Sequence, residues 1–317
     1  MTAAAIPAIL ACSVLAASPQ PSGPGSGLPG HQGSDLCMGC HPVQYQEWAR
    51  SLHARTVHPP SESEQTLLSR SLLCGDQDAK LVLGEKHARR FMVDSEKEPG
   101  RHVLLPCRYD VGPAAWTHLH ETDWMTLTWE KGCGACHTTG FSSDDLTFRE
   151  MKVGCESCHG PAVRHGAPGA PGAYETGGGM ISFKTLQAKD EVTICASCHL
   201  QGGASRKTGL GYAYNFVPGD DLLADYAFDW ESLGKEPEKA DNPIDIHQKL
   251  VIRNLIGPRE AAAGKEADLK CSSCHSFHEM RHEKHEKLAK QEFCHVCHEK
   301  ADFKVKEYNQ ACNVCEF

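Results

Sequence analysis

One five-residue unit, Cys-x-x-Cys-His, occurs six times in this 317-residue chain and limits what the chain can fold into more than any other feature. The copies are Cys37-Met-Gly-Cys40-His41, Cys133-Gly-Ala-Cys136-His137, Cys155-Glu-Ser-Cys158-His159, Cys195-Ala-Ser-Cys198-His199, Cys271-Ser-Ser-Cys274-His275 and Cys294-His-Val-Cys297-His298. Two thiols three residues apart can meet the two vinyl groups of one porphyrin and form thioethers. The next side chain, an imidazole, then lies under the iron. Paired C-x-x-C units also build zinc sites, but zinc requires no histidine directly after the second cysteine, so haem c is the preferred reading. A disulfide scaffold ranks behind both, because C-x-x-C spacing makes strained bridges.

The 17 cysteines divide into twelve in the motifs and five others: Cys12, Cys74, Cys107, Cys312 and Cys315. Aromatic residues make up only 7% of the chain, so an apoprotein would be short of apolar mass to offset chain entropy. Six covalent haems would supply that mass. The expected fold is therefore mainly α with little regular secondary structure, cored by haems, with a small antiparallel β insertion near 80–107. The formal charge of −9 argues against a nucleic-acid partner.

In chain order, residues 1–18 form a small-residue, apolar run too short to span a bilayer, which reads as a secretory signal. No Lys or Arg precedes it. Cys12 after Ile9-Leu10-Ala11 loosely resembles a bacterial lipoprotein signal; a lipid anchor at Cys12 and an ordinary cysteine in a discarded signal both stand. Residues 19–34 are a Pro/Gly/Ser linker. The expected haem domain is 35–317, with a four-haem part at 35–220 and a two-haem part at 243–300. Cytochrome c maturation takes place on the outer side of the membrane, so export to the periplasm or cell surface is expected. Short β-like runs at 80–84, 90–93 and 102–106 suggest the small sheet, flanked by Cys74 and Cys107 as a candidate disulfide. The stretch 278–289 reads as a helix with His278, His282 and His285 on one face. Cys312-Asn-Val-Cys315-Glu316 is a motif whose histidine is Glu, and a disulfide or vestigial site is preferred there to a seventh haem.

Nineteen histidines less the six proximal ones (His41, His137, His159, His199, His275, His298) leave thirteen for six distal positions. Setting aside His31 in the linker and His295 inside a motif, the pool is His53, His58, His87, His102, His118, His120, His165, His247, His278, His282 and His285. Two imidazoles on every iron are therefore available. Such irons exchange electrons but offer no position to a substrate.

The chain resembles the multihaem c-type cytochromes related to the tetrahaem electron acceptor of hydroxylamine oxidoreductase. The resemblance is carried by Cys37–His41 with Tyr45, Trp48, Ser51 and His53, by residues 103–106 (VLLP), by Trp116, and by Cys133–His137 with the following Thr-Thr-Gly. Residues 153–161 (VGCESCHGP) with His165, and the Cys195–His199 motif, complete it. The resemblance implies distal ligation by His53 and His165. It also implies recurring elements at Cys271–His275 with His278 and at an upstream ligand near His247. His120 and His285 complete the expected set of six. The implied role is electron transfer, with a quinol-oxidising membrane module, a terminal reductase or other multihaem cytochromes as partners. A multihaem reductase of nitrite, hydroxylamine or a sulfur oxyanion is the enzymatic alternative. It would need one open iron, and no C-x-x-C-Lys motif occurs here. Subunits self-associating into an extracellular haem filament are a third reading.

Overall fold

The computed structural model describes residues 27–72, 74–118, 128–163, 165, 180–231, 252–253, 256–257, 270–273 and 275–278. A 3-10 turn, Ser34–Gly39, leads into helix α1, Pro42–Ala49. Pro42 opens α1, where its missing N–H costs nothing, and Trp48 is the side chain that α1 buries. A short strand β1, Val57–His58, precedes α2, Glu62–Ser69. Ser61 and Glu64 form a reciprocal capping box at the start of α2.

Strands β2 (Leu81–Leu83), β3 (Ala88–Asp94), β4 (His102–Asp110) and β5 (Ala115–His118) join β1 in one antiparallel sheet of order β1-β2-β3-β4-β5. Alternation gives this sheet two buried faces. Val57, Leu81, Leu83, Met92 and Leu104 pack with Trp129, Phe141 and Phe148. Val82, Phe91, Leu105 and Cys107 pack with Leu68 of α2, Cys74 and Ala79. Cys74 and Cys107 form a disulfide that ties the α2–β2 connection to β4.

This sheet overturns the expectation of a mainly α chain with a small β insertion. The β-like runs are strands, but the sheet recruits β1 and β5 on either side and spans Val57 to His118. The motif helices are short, several only a turn long: α3 (Ala135–His137), α4 (Glu156–His159) and the 3-10 turn Cys271–Ser273. Thioether attachment needs one turn of helix, and little in these segments asks for more.

Two further ribbons, β6 (Thr138–Thr139) with β7 (Glu150–Met151) and β8 (Ala204–Ser205) with β9 (Tyr226–Ala227), brace the motif loops. Helix α5, Ala188–His199, carries the fourth motif on its last turn. Its Val192 and Ala196, with Leu200 just after it, pack against Leu222 of α6 (Leu222–Asp225), Tyr226, Ile252 and Ile256. Among the described residues no helix is long and apolar enough to cross a membrane.

Candidate haem-binding site

A single helical turn brings residues i, i+3 and i+4 to one side. The motifs use this: His41 N donates to Cys37 O at 2.8 Å, His159 N to Cys155 O at 2.9 Å and His275 N to Cys271 O at 2.9 Å. Both thiols and the imidazole of a motif thus share one face. The second motif is entered through a π-helical turn, Glu130–Gly134, of the kind found at functional sites. Gly134 is required there, since a Cβ would lie 2.6 Å from the Phe141 ring.

Three motif histidines each face one histidine from elsewhere in the chain. His41 and His165 have ring centroids 6.2 Å apart, His159 and His278 6.3 Å, and His53 and His199 6.3 Å. Two metal–nitrogen bonds of about 2.0–2.1 Å, plus about 1.1 Å from each nitrogen to its ring centre, put two axial imidazoles about 6.2–6.4 Å apart. The three pairs match that span to within a tenth of an ångström of one another. Each joins one proximal candidate to one distal candidate.

The electrostatics favour the neutral form, the one that ligates a metal, in His53, His137 and His159. His53 is pushed down to about 4 by burial, then by His199 and His137. His137 is pushed down to about 4 by burial and by His199. Burial also lowers His159, whose Nδ1 donates to Ile181 O at 2.8 Å. With Nδ1 committed, Nε2 is the nitrogen left to bind a metal. The residues present therefore fit haem c: paired thiols and an imidazole on one face, and a second imidazole at the span an iron needs.

The motifs also meet one another. The thiols of Cys37 and Cys155 lie close enough to shift each other's titration, as do those of Cys136 and Cys198, and of Cys195 and Cys271. Buried carboxylates set two of these neighbours. Glu156, inside the third motif, accepts from the backbone N–H groups of Gln32, Gly33 and Ala162 at 2.6–2.9 Å. Glu150 Oε2 accepts from Ser34 N and Ser34 Oγ, and Ser34 Oγ accepts from Cys155 N. Together they hold residues 32–34, and hence Cys37, against the third motif. Glu191 of α5 does the same for the fifth motif, accepting from Ser272 N at 2.6 Å and Ser272 Oγ at 2.9 Å. Charge-assisted bonds of this kind offset the cost of burying the carboxylate.

Sequence reasoning missed Glu150, Glu156 and Glu191; a Glu inside Cys155-Glu-Ser-Cys158 was the one visible signal. It also set His31 aside as linker, yet that ring is buried against Gly140, with Nδ1 3.1 Å from Leu28 O. Of the pool, His58 contacts Glu64 at 3.1 Å, and His102 lies 3.7 Å from Glu130. Cys12, His120, His247, Cys274, His282, His285, Cys294, Cys297, His298, Cys312 and Cys315 lie outside the described residues.

The comparisons agree with this chemistry. The family described as cytochrome c554 and c-prime matches residues 36–81 and 114–160, which include the first three motifs. Cytochrome c-554 of Nitrosomonas europaea is 26% identical over 220 residues, covering 65% of this chain and 72% of that protein. The chain is a multihaem c-type cytochrome, related to cytochrome c-554. In fold, this cytochrome is similar to the outer cell wall cytochrome OcwA, with a TM-score of 0.57 and 20% identity over 86% of this chain and 68% of that one. The undecaheme cytochrome from the S-layer of Carboxydothermus ferrireducens aligns with a TM-score of 0.47 and 19% identity, over 87% of this chain and 44% of that one.

Proposed function

We propose that this cytochrome carries electrons through a row of six covalently attached haems, each iron held between two imidazoles. The observation that carries the reading is the set of three histidine pairs at one common span. On it, His165 completes the haem of Cys37, Cys40 and His41. His278 completes that of Cys155, Cys158 and His159, and His53 that of Cys195, Cys198 and His199. The remaining proximal residues, His137, His275 and His298, take their partners from His120, His247 and His285. Cys133, Cys136, Cys271, Cys274, Cys294 and Cys297 are the corresponding attachment points. The first four haems belong to 35–220 and the last two to 243–300.

The thiol contacts support an order in space: first haem beside third, second beside fourth, fourth beside fifth. The iron supplies one-electron chemistry; the protein supplies spacing, axial ligands and burial. Irons with two imidazoles leave no place for a substrate, which favours a carrier over a reductase. Export to the periplasm or cell surface follows from the attachment chemistry. A quinol-oxidising module, a terminal reductase or another multihaem cytochrome would supply and accept the electrons.

Magnetic and optical spin-state spectroscopy of the exported protein tests this. The expected result is a fully low-spin ferric spectrum and no carbon monoxide adduct on reduction. A high-spin ferric component with carbon monoxide binding would point instead to an open, catalytic iron.

A further inference from the structure

Glu130 differs from the other buried glutamates near the motifs. Glu150, Glu156 and Glu191 each accept from a backbone N–H, whereas Glu130 Oε2 is buried with no hydrogen-bond donor among the described residues. Its neighbour is His102 of β4, whose Nδ1 makes no hydrogen bond and lies 3.7 Å from Glu130 Oε1, within ion-pair range. Across the ring, His102 Nε2 lies 3.6 Å from Oδ1 of Asp94, its direct cross-strand partner on β3. Both ring nitrogens thus face carboxylate oxygens. A neutral imidazole carries one N–H and can serve only one of them; imidazolium donates from both.

The three side chains form a file from solvent to the second motif, with exposures of 68% at Asp94, 23% at His102 and 2% at Glu130. Glu130 opens the π-helical turn that contains Cys133. Its charge is felt there: the Cys133 thiol is raised first by burial, lowered by the Arg90 charge and raised again by Glu130. The other charged groups beside the file are engaged elsewhere. Lys131 Nζ meets Glu98 Oε1 at 2.7 Å, and the Arg101 guanidinium donates to the carbonyls of Asp145 and Leu146.

We propose that His102, held between Asp94 and Glu130, is a proton-binding site coupled to the haem attached at Cys133 and Cys136, and that it fills when that haem is reduced. This rests on the reading that the second motif carries haem. One electron arrives on the iron from the redox partner, and one proton comes from solvent at the Asp94 end to the vacant nitrogen of His102. No other bond changes. The added electron makes the haem more negative and raises the proton affinity of a site whose charge reaches it through Glu130, where little water screens the interaction. Reduction therefore takes up a proton, and the potential of this haem falls as the pH rises.

The test is a spectroelectrochemical titration of the exported holoprotein at a series of pH values, beside His102→Gln, Glu130→Gln and Asp94→Asn, with bound haem counted in each. In the unsubstituted protein one haem of the set should become harder to reduce as the pH rises, by up to about tenfold per pH unit, ~59 mV for one electron. His102→Gln flattens the profile of that haem and leaves the others unchanged. Glu130→Gln removes an anion near the same haem and makes it easier to reduce above the sloping range. Asp94→Asn probes the site from its exposed end, where folding and haem loading are not at stake: the slope is kept and moves to lower pH. A set of haems with no pH dependence overturns the proposal, as does a His102→Gln profile that superimposes on that of the unsubstituted protein. A high-spin haem in His102→Gln would make the ring an iron ligand and overturn it too. Should peptide mass mapping find Cys133 and Cys136 unmodified in the unsubstituted protein, the failure lies with haem at the second motif rather than with the proton site.

Discussion

His53 shows at the scale of one residue how a distant side chain reaches a motif histidine. It follows α1 at the start of a 3-10 turn, His53–Arg55, and its carbonyl accepts from Val153 N at 3.2 Å, near the third motif. That anchor leaves the ring facing His199. On the proposed ligation, His53→Ala should turn one haem high-spin, with the haem count unchanged; a fully low-spin variant would mean that His199 pairs with another ligand. Glu64 is a second case. Burial works to raise its carboxyl, but hydrogen bonds from the Ser61 backbone and hydroxyl and from His58 outweigh it and hold it below the ordinary value. A folded-state carboxyl so lowered contributes stability above its ordinary value of about 4.3, lost as the pH falls through the folded-state value. Acid titration of unfolding should show a shallower loss below that pH for Glu64→Gln than for the unsubstituted chain. Equal slopes would mean that the Ser61–Glu64 box contributes nothing on the acid side.

Among the elements, the sheet and the motif turns were legible to different degrees, for different physical reasons. The motif turns follow from covalent chemistry: a porphyrin with two vinyl groups and one iron dictates spacing, so Cys155 and His159 could be expected to share one turn without knowing what surrounds them. The central strands could be read as short β-like runs between turns. The size of the sheet could not, because β1 is two residues long and β5 four, too short to carry a period. Its weight was also underestimated because haems were expected to replace side-chain packing, whereas Trp129, Phe91 and Phe148 are fully buried. The Cys74–Cys107 disulfide closes a separation of 33 residues on one face of this sheet. Loop-closure entropy for that length is about 3–4 kcal/mol. A Cys74→Ala, Cys107→Ala variant should lose roughly that much in chemical unfolding, with its haem spectrum retained; an unchanged midpoint would mean that α2 and the sheet hold together without the bridge.

Across the whole molecule, buried carboxylates organise the haem motifs. Glu156 and Glu150 draw the segment before Cys37 onto the third motif, and Glu191 draws the fifth onto α5. These contacts join positions 81 to 124 residues apart, and no local pattern encodes such a pairing. The histidine pairs are of the same kind: the surplus of histidines could be counted, and likeness to known cytochromes pointed to His53, His165 and His278, but which motif each one faces emerged only from the fold. The measurement that bears most directly on the account is the intact mass of the exported protein, read with its pyridine haemochrome spectrum. Six haems per chain, bound through Cys37/Cys40, Cys133/Cys136, Cys155/Cys158, Cys195/Cys198, Cys271/Cys274 and Cys294/Cys297, are expected, with no mass added at Cys312 or Cys315. A colourless protein, or one whose paired cysteines carry zinc or disulfides in place of porphyrin, would contradict it.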